Sequence, residues 1–143
     1  MAMDMDLAYK LVMLAIVIWR EARGETKQAM LAVGCSIRNR VENPKWWGDS
    51  YPAVISKKWQ YSSMTDPKDK QLTLFPQGIN DQNFGDALVV AYSVVIEGVV
   101  SPVPGADSYY DDSITAPNWA TPNCFVKKIG SLNFYNVDHD YEK

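Results

Sequence analysis

The pattern of apolar and polar positions predicts a first helix over residues 5–23. Asp6 is the expected N-cap, and Gly24 is the expected residue just after the last turn. The helix is apolar on nearly every face, which is typical of a helix in the middle of a domain. Some positions recur at steps of four, three, four and three, and they therefore share one face: Leu7, Leu11, Leu14, Ile18 and Glu21.

Two more helices follow from the same periodicity. One covers residues 26–42, begins at Glu25 or Thr26, and ends before Pro44, because the residue preceding a proline avoids the helical region. Its inner face is predicted to hold Met30, Val33, Ile37 and Val41, with Lys27, Arg38 and Arg40 pointing elsewhere. The other covers residues 82–97, with a predicted buried stripe of Phe84, Leu88, Ala91 and Val95.

Turn-forming residues are frequent in the rest of the chain. A short helix is expected over residues 51–58, and residues 59–82 are predicted to be a long irregular segment, which is usually functional inside a compact domain. Residues 107–111 and 125–137 read as two strands of a small antiparallel pair, the second with a bend at Gly130. The predicted fold class is α+β, mainly α, in a single catalytic domain over residues 1–143.

The composition excludes some classes of partner. The formal charge is −3, so the chain lacks the basic surface that nucleic-acid binding requires. The five Trp and eight Tyr residues are many for 143 residues, and aromatic rings serve either as core or as flat surfaces on which sugar rings stack.

Few residues are suited to metal or nucleophilic chemistry. Cys35 and Cys124 lie outside any metal-binding spacing and are expected to be buried free thiols. The only histidine, His139, lies in a polar tail, which disfavours both a histidine-based triad and a histidine-liganded metal. The sequence therefore predicts no metal and no cofactor.

The apolar stretch Leu11–Trp19 is too short to span a membrane. It follows acidic residues rather than a cationic leader, and no small-residue cleavage site comes after it. We therefore expect a protein that is made in the cytoplasm without a signal peptide and that does not insert stably into membranes.

Glu21 stands at the end of the apolar stripe, in the stretch WREARGE at residues 19–25. One interpretation is that it marks where the helix emerges into water. The other is that Glu21 is partly buried and takes part in catalysis. Burial raises the pKa of a carboxyl group. A carboxyl group that stays protonated near neutral pH can act as the general acid that glycoside cleavage requires.

A second carboxylate is the next feature to look for, because most glycosidases use a pair. Glu25 is a candidate, although an acidic residue there also favours the dipole at the start of the second helix. Several loop acids have no distinguishing context: Asp49, Asp66, Asp107, Asp111 and Asp112. The spacing alone singles out none of them.

Motifs along nearly the whole chain resemble one family. Near the start are Glu21-Ala-Arg-Gly-Glu25, Gln28-Ala-Met-Leu-Ala-Val and Ile37-Arg-Asn-Arg-Val41. Later come Trp59-Gln60-Tyr61-Ser62, Ala87–Ala91 with Gly98, Asp107–Tyr110, Asn118-Trp119-Ala120, Ile129-Gly130 and Phe134-Tyr135. In this order they resemble the cell-wall hydrolase family of the spore cortex-lytic enzymes, the SleB/CwlJ type, whose members include phage-encoded lysins.

The resemblance implies a lysozyme-like or lytic-transglycosylase-like fold that acts on peptidoglycan glycan strands, with Glu21 as the catalytic acid. The bond that the resemblance implies is cleaved is the β-1,4 link between N-acetylmuramic acid and N-acetylglucosamine. A lytic transglycosylase needs one carboxyl group, which protonates the glycosidic oxygen and then accepts the proton of the muramic acid 6-hydroxyl. That hydroxyl attacks C1 and leaves a 1,6-anhydro product.

The chain departs from the family at two places. The family often has a histidine where this chain has Ser108, and another where it has Leu132 and Asn133. Two alternatives stay open: a hydrolytic muramidase in which Glu25 or a loop aspartate activates water, and a non-catalytic wall-binding or virion structural protein. A zinc amidase is disfavoured, because too few ligands are present.

Other residues are expected to contact substrate or to support Glu21: Glu25, Asn39, Gln60, Ser62, Tyr109 and Tyr110. Asn39 either orients Glu21 or a substrate amide, or it ties two loops together. Tyr109 and Tyr110 alternate along a predicted strand, so one of them is expected to face the groove. Three tryptophans are expected in the core: Trp46, Trp47 and Trp59.

Delivery to the wall follows from the same features. With no signal peptide and no wall-binding repeat, the sequence favours a phage-type lysin, either an endolysin that passes through a holin or a virion lysin. Its expected partners are peptidoglycan glycan strands, and it is expected to be a monomer.

Overall fold

Helices dominate the computed structural model, which describes residues 4–58, 60–78 and 80–138. The helices are α1 (Met5–Ala22), α2 (Lys27–Glu42), α3 (Tyr51–Ile55), α4 (Ser62–Thr65) and α5 (Gln82–Val95). The strands are β1 (Ser108–Asp111), β2 (Phe125–Ile129) and β3 (Leu132–Tyr135). The predicted α+β class, mainly helical with a small antiparallel element, is confirmed. Trp59 and His139 lie outside the described residues.

Helix α1 begins at Asp4 rather than at the predicted cap, Asp6. The Asp4 side chain accepts a hydrogen bond from the backbone N–H of Asp6 at 2.7 Å, which places Asp6 inside the first turn. The predicted stripe is confirmed, with Leu11, Leu14 and Ile18 buried. The expectation of a helix in the middle of the domain is wrong for one side of α1, which is exposed at Met5, Tyr9 and Val12.

Helix α2 is capped by Thr26, whose hydroxyl accepts a hydrogen bond from the Ala29 N–H at 3.1 Å. Its predicted inner residues Met30, Val33 and Ile37 are buried. Arg40, which the pattern assigned to the outside, is 4% exposed and lies in the interior.

Helix α5 packs against both α1 and α2 with a face that overlaps the predicted stripe. Of that stripe, Ala91 is buried and Phe84 and Val95 pack partly buried against the core, whereas Leu88 is exposed. The other buried positions are Ala87, Val90 and Val94. Close packing against Gly34 of α2 selects this face, since a Cβ there would lie 3.1 Å from the Val94 side chain. An almost continuously apolar helix offers more than one stripe, and only its neighbours decide which is buried.

The segment predicted to be irregular contains α4 and a 3₁₀ turn at Lys70–Thr73. Arg20, on the last turn of α1, holds this segment in place. Its Nε donates to the Leu74 carbonyl and its guanidinium nitrogen donates to the Ser63 carbonyl, each at 3.1 Å. The segment is therefore fixed against the end of α1.

The sheet has the order β1-β3-β2, with β3 antiparallel to both neighbours. The single bent strand predicted over 125–137 is wrong, because Gly130 and Ser131 form a turn between β2 and β3. Gly130 has a φ of 59°, a left-handed conformation that favours glycine. A Cβ at this position would lie 2.6 Å from Oε1 of Glu25.

Cys35 and Cys124 are free thiols, as expected, although only Cys35 is fully buried. None of the helices in the described ranges has the length and apolar character needed to cross a membrane.

Candidate active site

A cavity of about 420 Å³ lies between the end of α1, the segment around α4 and the edge strand β1. Its wall combines carboxyl, amide and hydroxyl groups with aromatic rings. The lining residues are Glu21, Arg40, Gln60, Tyr61, Ser62, Asp107, Ser108, Tyr109, Tyr110, Asp111, Ile114, Pro117, Trp119 and Leu132. A concave site that joins a few polar groups to aromatic surface is the usual form of a ligand site.

Glu21 enters this cavity from the last turn of α1, one turn beyond the buried Ile18. The Tyr109 hydroxyl donates a hydrogen bond of 2.8 Å to Oε1 of Glu21. Because the helix stripe continues into the wall of the cavity, the carboxyl group is held between the protein interior and the open space.

The pKa of Glu21 is raised, chiefly because burial removes water from the carboxylate. The hydrogen bond from Tyr109 and the adjacent Ser63 act in the opposite direction and favour the ionised form, while the charge of Asp69 raises the pKa further. The net direction favours a protonated carboxyl group, which is the state that a general acid requires.

Tyr109 is fixed by its own neighbours. Its ring packs against Phe134 at 5.4 Å between centroids and against Tyr61 at 6.4 Å. Burial and the adjacent Glu21 raise the pKa of Tyr109 well above its ordinary value, so it remains a hydrogen-bond donor.

Both tyrosines of β1 border the cavity, whereas one was expected. Tyr109 points to Glu21, and Tyr110 stacks on Tyr135 on the other face of the sheet at 5.9 Å. Because β1 is an edge strand, the cavity reaches residues on both of its faces.

Gln60 and Ser62 also border the cavity, at the position predicted for them. Oε1 of Gln60 accepts a hydrogen bond of 3.1 Å from Arg40, and the Ser62 hydroxyl donates one of 2.7 Å to Asp69. These bonds orient the two side chains beside Glu21.

Glu25 and Asn39 lie outside the cavity wall. Oε1 of Glu25 accepts a hydrogen bond from the backbone N–H of Ser131 at 3.0 Å, and the Ser131 hydroxyl lies within hydrogen-bond distance of both Glu25, at 3.0 Å, and Asp111, at 2.8 Å. Asn39 donates to the carbonyl of Ala106 at 3.1 Å. Each side chain therefore ties two segments together, which for Asn39 is the second of the two predicted roles.

Arg40, which was not predicted as a site residue, lies in the wall of the cavity and is otherwise buried. Its Nε donates to the Asp107 carbonyl at 2.6 Å, and its guanidinium lies over the rings of Trp47 and Tyr61. The Asp107 carboxylate in turn accepts hydrogen bonds from the backbone N–H groups of Val137 and Asp138. The motif Ile37-Arg-Asn-Arg-Val41 contains Arg40, but helical spacing placed it on the surface.

The tryptophan pair is divided between two environments. Trp47 is 1% exposed and belongs to the core, as predicted. Trp46 is 45% exposed, so the prediction of a core position is wrong for this residue. Periodicity does not resolve two adjacent residues in a loop.

Within residues 4–58, 60–78 and 80–138, no group of three or more His, Cys, Asp or Glu residues is arranged to hold a metal ion.

Two solved structures are similar to this fold. The catalytic domain of the germination-specific lytic transglycosylase SleB from Bacillus anthracis matches with a TM-score of 0.65 and 23% identity, covering 88% of this chain and 93% of that one. The SleB catalytic domain from Bacillus cereus matches with a TM-score of 0.65 and 22% identity, covering 90% of both. The chain therefore has the fold of these catalytic domains, as the motifs implied.

The sequence comparison gives the family. No curated protein matches the chain in sequence. The profile of the cell wall hydrolase family matches residues 24–135, which is most of the chain and begins just after Glu21. The resemblance found in the motifs is thus confirmed, and the chain belongs to the cell wall hydrolase family.

Proposed function

We propose that this protein is a lytic transglycosylase that cleaves the β-1,4 bond between N-acetylmuramic acid and N-acetylglucosamine in peptidoglycan. The observation that carries the proposal is the half-buried Glu21, whose pKa is raised and whose Oε1 is bonded to Tyr109 inside an aromatic-lined cavity. Membership of the cell wall hydrolase family supports the substrate class.

We assign the transferred proton to Oε2 of Glu21, the oxygen that does not accept from Tyr109. Oε2 donates it to the glycosidic oxygen as the bond to C1 breaks. The 6-hydroxyl of the muramic acid then attacks C1 and returns its proton to Glu21, which leaves a 1,6-anhydro product and restores the acid.

A hydrolytic muramidase is the second candidate, and the position of Asp111 favours it. This carboxylate borders the same cavity. Its pKa is lowered chiefly by the backbone N–H of Ser113, with Ser131 and Ser113 hydroxyl groups acting in the same direction. Glycosidases use a pair of carboxyl groups, one ionised and one protonated, on either side of the bond that is cleaved. Both oxygens of Asp111 are already bonded, however, to Ser113 and Ser131.

The products distinguish these reactions. Purified peptidoglycan is digested with the wild type, the fragments are separated, and their masses are measured by mass spectrometry. Anhydro-muramoyl ends support the transglycosylase, and reducing muramic acid ends support the muramidase. Asp111→Asn is expected to leave the anhydro products unchanged, whereas a muramidase that uses Asp111 loses its activity.

The role of Glu21 is tested with a matched pair of variants. Glu21→Gln keeps an acceptor for Tyr109 but has no proton to donate, and we expect the rate to fall by about 10²- to 10⁴-fold. Glu25→Gln keeps an acceptor for Ser131, and we expect its rate to stay within about threefold of wild type. That factor is smaller than the tenfold change that corresponds to about 1.4 kcal/mol. Both variants should bind walls.

Equal losses in the two variants, or an active Glu21→Gln, contradict the assignment of the acid. If the wild type itself releases no fragments from walls of several chemotypes, the alternative of a non-catalytic wall-binding or virion protein is favoured instead.

The delivery route stays a prediction. We propose a phage-type lysin that reaches the wall through a holin or in the virion, because phage lysins occur among the proteins that the motifs resemble. Expression in a sensitive host with and without a holin tests this: lysis only with the holin supports an endolysin, and lysis that needs no holin argues against that route.

A further inference from the structure

Helices α1 and α5 carry apolar side chains on the faces that they turn away from the core. On each helix these residues recur at steps of three or four, so each set forms a continuous stripe. The residues are between 38% and 81% exposed, and we call them the outer face: Met5, Tyr9, Val12, Leu88, Val89, Tyr92 and Ile96. The reaction proposed for Glu21 assigns no role to this surface.

The two stripes lie side by side. At the end of α1, the Trp19 indole donates a hydrogen bond of 3.4 Å to the carboxylate of Asp81, the N-cap of α5, so the two packed helices run antiparallel. Val12 lies two turns before Trp19 and therefore borders the side of α1 that contacts α5. The antiparallel direction brings Tyr9 and Tyr92 to the same end of the outer face.

The outer face is large enough for a protein interface. From the exposed fractions, and from about 150–250 Å² for a whole aromatic side chain, its apolar surface amounts to roughly 500 Å². A stable interface covers about 800 Å² per partner, and about 65% of that area is apolar in homodimers. The outer face therefore supplies the apolar part of one such interface.

The charges around the outer face are unevenly placed. Asp6 and Glu97 lie at the end that holds the two tyrosines. Lys27 lies at the opposite end, where its ammonium group is 3.6 Å from the Asp86 carboxylate and 76% of its side chain stays exposed. Helix α5 contains no lysine or arginine, in which helices that lie on a membrane surface are rich. The charges therefore favour a protein partner over a lipid surface.

The two ends of the outer face complement each other. The end with Tyr9 and Tyr92 is bulky and acidic. At the other end, Gly85 leaves open space on α5, and Lys27 carries a positive charge. A two-fold axis near Val89, in the middle of the face, places the bulky end of one copy on the open end of the other, as in a closed dimer.

We propose that the outer face binds a second copy of this chain, so that α1 and α5 of one protomer pack on the same helices of its partner. This differs from the monomer that the sequence led us to expect. The inference does not depend on the reaction proposed for Glu21. Glu21 lies nine residues beyond Val12, about two and a half turns, and therefore on the opposite side of α1, so both cavities stay open in the dimer.

Sedimentation equilibrium between about 1 and 500 µM tests the proposal, since interfaces of this size bind at micromolar concentrations or tighter. The wild type is expected to change from the mass of one chain to that of two. Val89→Arg should raise the dissociation constant at least about tenfold, the equivalent of about 1.4 kcal/mol, because two cations then meet at the axis. Ile114→Arg, at an exposed apolar residue beside the Glu21 cavity, is the matched control and should dimerise like wild type.

Circular dichroism checks that both variants fold, and Tyr92→Glu replaces Val89→Arg if that variant does not. A wild type that stays monomeric over the whole range overturns the proposal, as does a Val89→Arg protein that dimerises like wild type. A monomer that instead binds phosphatidylcholine vesicles also overturns it, because the outer face then contacts lipid.

Crosslinking tests the position of the axis. In a Cys124→Ser background, which leaves the buried Cys35 as the other thiol, Val89→Cys should be joined into a dimer by a short bis-maleimide, whereas Ile114→Cys should not. Equal crosslinking of both overturns the proposed symmetry. A wild type that releases no fragments from walls contradicts only the proposed reaction, because none of these measurements uses cleavage.

Discussion

Replacing Tyr109 with phenylalanine removes one hydroxyl group from the candidate active site. The ring contacts with Phe134 and Tyr61 remain available to the phenylalanine, so the variant should fold. What is lost is the 2.8 Å hydrogen bond to Oε1 of Glu21. Because that bond favours the ionised carboxylate, its loss raises the pKa of Glu21 further.

The size of the effect follows from the type of hydrogen bond. A bond to a charged partner contributes about 1.5–3 kcal/mol. If all of it favours the carboxylate, the ratio of ionised to protonated Glu21 at a given pH falls by about 10- to 150-fold. The general acid is lost when Glu21 ionises, so the alkaline limb of the pH profile should move to higher pH in Tyr109→Phe.

The measurement is kcat/KM on solubilised glycan strands across the pH range, which reports ionisation in the free enzyme. Tyr110→Phe is the matched control, since Tyr110 borders the same cavity without bonding to Glu21. Its alkaline limb should coincide with that of wild type. An alkaline limb of Tyr109→Phe that moves to lower pH, or that does not move, refutes the reasoning.

Three further predictions concern stability. The raised pKa of Glu21 means that the folded protein holds an extra proton between the unfolded value, about pH 4.3, and the higher folded value. The free energy of unfolding that this group contributes therefore falls as pH rises through that window. Above the window, Glu21→Gln should unfold at a higher urea concentration than wild type. Below the window, the two proteins should unfold at the same urea concentration. Gly130→Ala should lose at least about 1–2 kcal/mol in urea unfolding, because of its left-handed φ and the contact with Glu25. Gly85→Ala, in open space on α5, should gain about 0.5–1 kcal/mol, and a loss at both glycines contradicts the argument. Tyr61→Phe removes a buried hydroxyl that has no hydrogen-bond partner among the described residues. Calorimetry should show an unchanged or slightly higher Tm, and a loss above about 1 kcal/mol would show that the hydroxyl is bonded.

Local patterns determined much of the architecture. The stripe of Leu11, Leu14 and Ile18 fixed both the existence of α1 and the place of Glu21 at its end, since side-chain direction along a helix depends on spacing alone. Thr26 marked the start of α2 for a similarly local reason, because its hydroxyl bonds to a backbone N–H three residues away. The order of the motifs along the chain was sufficient to indicate the family.

Other features depended on partners distant in sequence. The buried face of α5 was selected by packing against Gly34, and the environment of Arg40 by carbonyl, amide and aromatic groups from three other segments. Two tryptophans that are adjacent in the chain were separated into core and surface. A single sequence does not encode such choices in its periodicity.

The same division applies to the carboxyl groups. Sequence placed Glu21 on the apolar stripe, but the hydrogen bond from Tyr109, 88 positions away, and the desolvation by surrounding protein were decided only by the fold. Glu25 has the same chemistry and lies four residues further on, in the connection between α1 and α2. Its carboxylate is hydrogen-bonded to Ser131 instead, because the turn between β2 and β3 packs against Glu25. Residue type is thus a property of the chain, whereas the water, charge and hydrogen bonds around a carboxyl group are properties of the tertiary structure.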